Sequence, residues 1–195
     1  LALEKETQAA FRKAQAALDS LNIVLDKLKK ANVYQVRLLL AAAARNQQDL
    51  NFDAALERLE TAKILRALPD SVDLAYQNLS QALLKHARES LQRGAYKAAL
   101  TNIKSAEALN IQPDAVAAAK QTLRQFLFEN AQLDMVATDY DVAVEKTNAV
   151  HALGASRDTV EGLFYELAFC YVETNRLDRA AGLLDTLAQG RNNQT

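Results

Sequence analysis

The sequence predicts an all-α protein in which antiparallel helix hairpins repeat along the chain and stack into a right-handed curved α-α superhelix. The first of three observations behind this is a 44-residue step shared by Asp26, Asp70, Asp114 and Asp158, and by Leu21, Leu65, Leu109 and Leu153. The second is that packing-type residues keep the same step. These are Leu39, Leu83 and Leu127, the small Ala43, Ala87 and Ala131, a second small set at Ala55, Ala99 and Ala143, and the aromatic Phe52, Tyr96 and Tyr140. The third is composition: half of the 195 residues are apolar and only 5 Gly and 2 Pro interrupt them, which suits long helices and opposes a turn-rich sheet fold. A helical unit this short cannot bury its apolar face alone, so such units stack.

In chain order, an opening helix is predicted over residues 1 to about 22, followed by helix pairs near 26–48 and 51–67, 71–92 and 95–111, 114–136 and 139–153, and 158–174 and 177–189. That makes nine helices in one domain, 1–190, with units at about 1–25, 26–69, 70–113, 114–157 and 158–190. Asp70, Asp114 and Asp158 stand where a helix begins, where a carboxylate can accept first-turn N–H groups and complement the helix dipole. Pro69 and Pro113 just before two of them stop the preceding helix. Gly94 and Gly154 mark tight turns at helix ends. In the last unit Ala131 and Ala143 reappear as Ala168 and Ala180 after only 37 residues. The seven missing residues are about two turns at 3.6 residues per turn, removed between Asp158 and Ala168, so the last unit has a shorter first helix. The tail GRNNQT, residues 190–195, lacks an apolar anchor and is expected to fray.

Charge and composition exclude several functions. With 23 basic and 24 acidic residues, a formal charge of -1 does not steer the chain toward nucleic acid or an acidic membrane. The short cluster Lys27, Lys29 and Lys30 is interrupted by Leu28 and reads as a solvated helix face. The longest apolar run, residues 38–44, is far short of the roughly 20 needed to span a bilayer, so no direct membrane insertion is expected. The single Cys170 cannot form an internal disulfide, which fits a reducing, cytoplasmic setting. The chain opens on Leu1 and is already helical in pattern at Glu4, as in one domain of a longer protein.

Chemistry-bearing residues are sparse. His86 and His151 are 65 residues apart and neither has the i+4 partner of a helical metal pair. Cys170 lies between Phe169 and Tyr171 and reads as a buried, inert thiol. Glu57 with Glu60, and Asp139 with Asp141, are accidental surface neighbours, and no Gly-rich phosphate loop is present. No cofactor, no metal and no enzymatic activity are expected.

In FYELAFCYVETNRLDRAAGLLDTL a large, a small and an aromatic residue, Leu167, Ala168 and Tyr171, lie on one helix, and Leu177, Ala180, Leu184 and Leu187 follow on the next. These residues resemble the tetratricopeptide repeat family, standing where its first helix carries packing residues of those kinds and at matching places on its second. Ala87, Tyr96, Ala99, Ile103 and Ala106 follow the spacing through GAYKAALTNIKSAEALNIQPD, as do Ala43, Phe52, Ala55, Leu59 and Ala62 one unit earlier. The chain departs from the family in lacking Trp, in its 44-residue step against the family's about 34, and in His86 and Asn130 before the small residue. Other antiparallel helical repeats share the same pattern.

Leu40, Leu84, Phe128 and Tyr165 match one another across four units, each directly following a packing residue and pointing about 100° away from it. The resemblance implies that they face a concave groove together with Arg88, Gln132, Met135, Phe169 and Val172. Its increasingly apolar C-terminal lining suits a partner peptide or amphipathic helix. A protein-binding or scaffolding module is therefore the leading expectation. The alternative is a structural or regulatory segment of a larger protein, its groove filled by its own chain, a neighbouring domain or an oligomer mate; an enzyme is the remote one.

Overall fold

A computed structural model of the chain describes residues 2–192, with side chains described for residues 7–188. Among the described residues it is all-α, with eight helices: α1 Ala2–Gln48, α2 Phe52–Ile64, α3 Pro69–Gln92, α4 Tyr96–Leu109, α5 Pro113–Val136, α6 Tyr140–Ala152, α7 Arg157–Glu173 and α8 Leu177–Asn192. Short connections join successive helices into antiparallel hairpins. The chain forms two compact units, one up to Ala82 and one from Leu83 onward, so that α3 contributes its first part to one and its last part to the other.

The count of eight rather than nine has a simple cause. Between residues 22 and 26 there is neither Gly nor Pro, and the segment NIVLD offers no break to helical geometry, so the two expected opening helices are one continuous α1 of 47 residues. The shortened last unit appears as expected: α7 has 17 residues where α3 and α5 each have 24. Helix α8 continues through Gly190 to Asn192, further than the pattern suggested, and residues 193–195 of the expected frayed tail lie outside the described residues.

Packing follows the repeat register. Ala55, Ala99 and Ala143 are fully buried, as are Leu59, Ile103 and Thr147 at the next matched position, and Ala62 and Ala106 at the one after. Small residues here let two helices approach to the usual 8–10 Å axis spacing. Thr147 is tolerated where its counterparts are Leu and Ile because its hydroxyl donates to the Ala143 carbonyl at 2.9 Å. On the first helices Ala43, Ala87, Ala131 and Ala168 are buried, with Leu83, Leu127 and Phe164 beside them. In the first unit α1 packs on α2, and Tyr76 of α3 donates to Glu60 of α2 at 2.7 Å. In the second unit α4 to α8 pack sequentially, and α5 also touches α7.

The turns repeat more faithfully than the residues that make them. After each first helix the chain passes through a left-handed residue at Leu50, Gly94, Thr138 and Asn175, whose φ values run from 58° to 74°. The next residue's N–H reaches back five positions, from Asn51 to Asn46, Ala95 to Ser90, Asp139 to Asp134 and Arg176 to Tyr171, each at 2.8 Å. This is the Schellman termination. After the second helices, Arg66, Asn110 and Gly154 take the same left-handed conformation. Only two of these seven positions are Gly.

The register aspartates need a correction. Asp70, Asp114 and Asp158 lie inside the first turn of α3, α5 and α7, where their charge meets the positive helix end, but they are not the caps. Ser156 caps α7 by accepting from the Thr159 N–H at 3.3 Å, and Gln112 precedes α5 without a side-chain cap. Pro69 and Pro113 are the first residues of α3 and α5, a position that needs no N–H donor. Asp26 lies mid-helix in α1, where it pairs with Lys30 at 2.8 Å.

Candidate protein-binding surface

The residues expected to line one groove are distributed as follows. Leu40 is on α1 in the first unit, half-buried. The others belong to the second unit: half-buried Leu84 and exposed Arg88 on α3, half-buried Phe128, exposed Gln132 and buried Met135 on α5, and exposed Tyr165, Phe169 and Val172 on α7. Four of them, Gln132, Met135, Tyr165 and Phe169, come together around an open depression of about 620 Å³, joined by Val136, Glu166 and Cys170. Phe128 borders a separate depression with Arg124, Val150 and Thr159, and Val172 borders neither.

Helical geometry explains the gathering. Gln132, Met135 and Val136 are spaced i, i+3, i+4 on α5, and Tyr165, Glu166, Phe169 and Cys170 occupy two adjacent rows on α7, so each helix presents one face. Because α5 and α7 are in contact, the two faces share a surface. Leu167, Ala168 and Tyr171 of α7 turn inward and are buried, while Phe169 is 62 % and Val136 84 % exposed. Glu166 and Cys170 join this lining although neither was expected there from the sequence. Their signal was available in the row next to Tyr165 and Phe169.

Polar contacts hold the helices that carry this surface. Tyr171 donates to Asp141 of α6 at 2.9 Å, and its ring meets Tyr140 edge-on at 5.3 Å between centroids. Burial, reinforced by that hydrogen bond, pushes the Tyr171 phenol up to about 12. Lys146 of α6 pairs with Asp134 of α5 at 2.6 Å, both largely shielded from water. Lys97 of α4 pairs with Glu145 of α6 at 2.6 Å, which holds the Glu145 carboxyl below the usual carboxylate range.

The expected buried thiol is only half-buried. Even so, burial and then the charges of Glu173 and Glu166 push the Cys170 thiol up, so it meets the depression as a neutral, weakly polar side chain. His86, polar where the repeat expects a large apolar residue, is half-buried and accepts at Nδ1 from the Asn102 side-chain amide at 2.9 Å. Asn130, the other polar substitution, donates to the Phe126 carbonyl at 2.8 Å. Both departures from the apolar pattern are thus satisfied locally. His151 is exposed in the last turn of α6.

Among the described residues, no group of three or more His, Cys, Asp or Glu side chains is arranged to hold a metal ion. No helix among them is long and apolar enough to cross a membrane. In comparisons with known proteins, no family model, curated protein or solved structure matches the chain. The architecture itself is an all-α repeat of helix hairpins.

Proposed function

We propose that this is a protein-interaction or scaffolding module of tetratricopeptide-like type, which receives a partner peptide or amphipathic helix on the α5–α7 surface. The observation that carries the reading is the exposure of Tyr165, Val136 and Phe169 around a largely apolar depression, on helices whose other faces are already packed. Contiguous exposed apolar surface rimmed by polar groups, here Gln132 and Glu166, is a recurrent mark of protein–protein contact. Two aromatic rings one helical turn apart provide the large, rigid contact area on which binding hot spots are built. Met135 at the floor adds an adaptable thioether.

The test is selection of binders from a displayed library of amphipathic helical peptides, followed by titration against variants. Phe169→Ala is expected to weaken a selected peptide by about 2 kcal/mol or more while leaving the melting curve almost unchanged, because the side chain is mostly exposed. Leu127→Ala is the opposite control: it is fully buried, and its loss costs about 2–5 kcal/mol of folding stability. Peptides that bind with equal affinity to wild type, Phe169→Ala and Tyr165→Ala would refute this site.

A further inference from the structure

The first half of α1 exposes an apolar face that the rest of its unit does not cover. Phe11, Leu18, Leu21, Ile23, Val24, Leu25 and Leu28 are between 43 % and 71 % exposed. Phe11, Ala14, Leu18, Leu21, Leu25 and Leu28 alternate by three and four residues, the spacing of a helix seam built to meet another helix.

The repeat register identifies the missing partner surface. Asn22 stands at the position of Arg66, Asn110 and Gly154, which all turn left-handed and fold the second helix of one hairpin against the first helix of the next. At those three turns the contact forms within the chain, with Tyr76 on Glu60, Lys120 on Glu107, and α6 on α7. At Asn22 α1 runs straight through. A straight helix cannot lay its first half on its own second half, and the surface that complements that half by register is residues 26–48 of this same sequence.

We propose that α1 docks on α1 of a second copy of this chain, antiparallel, so that each copy supplies the contact the other lacks. The register follows from the pairs already formed. Moved back one 44-residue step, Glu60 and Tyr76 fall on Ala16 and Asn32; moved back two steps, Glu107 and Lys120 fall on Asp19 and Asn32. Asn32 of one copy therefore lies level with residues 16–19 of the other, which places the twofold axis near Val24 and Leu25. The arrangement is isologous, as expected of a closed dimer. It sets Leu21 against Leu28, and Phe11 beside Leu38, itself 54 % exposed. It also brings Asp19 level with Lys29 of the second copy, whereas a parallel, in-register pair would set each of these charges against its own like.

The test combines mass measurement with cysteine crosslinking in a Cys170→Ser background. Sedimentation or light scattering is expected to give twice the 21.4 kDa chain mass, and Leu21→Asp with Leu25→Asp to return it to one chain mass with helical signal retained. Under mild oxidation Val24→Cys or Leu25→Cys should link two chains, while Phe11→Cys, far from the axis, should not. A wild-type chain that remains monomeric at concentrations on the order of 100 µM would overturn the proposal, leaving the face to another protein's helix. A dimer that survives the double Asp substitution, or one that crosslinks as readily through Phe11→Cys as through Val24→Cys, would overturn it as well.

Discussion

Replacing Gly94 by Ala, and separately Thr138 by Gly, isolates the backbone cost of the repeated turn. Both residues occupy the same Schellman position one repeat apart, at φ 74° and 66°. A Cβ built on Gly94 meets nothing within 4 Å, so Gly94→Ala adds no clash and its cost is purely conformational. Holding an L-residue in the left-handed region costs about 1–2 kcal/mol, against which the stiffer unfolded chain returns about 0.4–1 kcal/mol. The net expectation is a loss of about 0.5–1.5 kcal/mol. Thr138 bears the same strain with a β-branched side chain, so Thr138→Gly should reverse the sign and stabilise by about 0.5–1 kcal/mol. Urea unfolding followed by helical circular dichroism reads both as midpoint shifts at unchanged slope. In a chain this long, each kcal/mol corresponds to a melting shift of about 2–4 °C. Destabilisation by Thr138→Gly would show that the threonine side chain holds the turn, and a loss above about 3 kcal/mol for Gly94→Ala would show that the turn packs against something; either result refutes the backbone argument.

Alkaline stability should depend on Tyr171, whose phenol is raised from 10.0 to about 12 by burial and the hydrogen bond to Asp141. The folded state keeps that proton longer than the unfolded state, so the contribution is complete below pH 10 and is lost as pH rises toward 12; Tyr171→Phe should flatten that part of the stability profile, and an unchanged slope would count against the assignment. Ser80 is fully buried on α3 and its hydroxyl has no hydrogen-bond partner among the described residues, so Ser80→Ala should raise stability by about 1 kcal/mol in thermal or urea unfolding, with a loss pointing instead to a bond the hydroxyl makes.

The fold class, the helix positions from α2 onward and the buried register were legible in the chain because a 44-residue step of small and large apolar side chains admits few other arrangements. The deletion of seven residues likewise converted directly into an α7 two turns shorter than α3 and α5. The turns were less legible. Left-handed geometry at Leu50, Arg66 and Thr138 is set by the closing of a helix pair rather than by residues that prefer it, whereas Gly94, Gly154, Asn110 and Asn175 are of the types that adopt it most readily, and of these only the two glycines were read as turns from the sequence. Conversely, the break expected between residues 22 and 26 is helical, since a turn forms only when docking the two segments outweighs unbroken hydrogen bonding along α1. The apolar stripe from Leu40 to Val172 could be drawn from helical spacing, but whether its members share one surface depends on how neighbouring helices are placed. Contact between α5 and α7 gathers Gln132, Met135, Tyr165 and Phe169, adds Glu166 and Cys170, and sends Phe128 to a different depression. Periodicity along one helix determines which side chains share a face; which faces meet is decided by tertiary packing, where small residues such as Ala99 and Ala143 let the helices close.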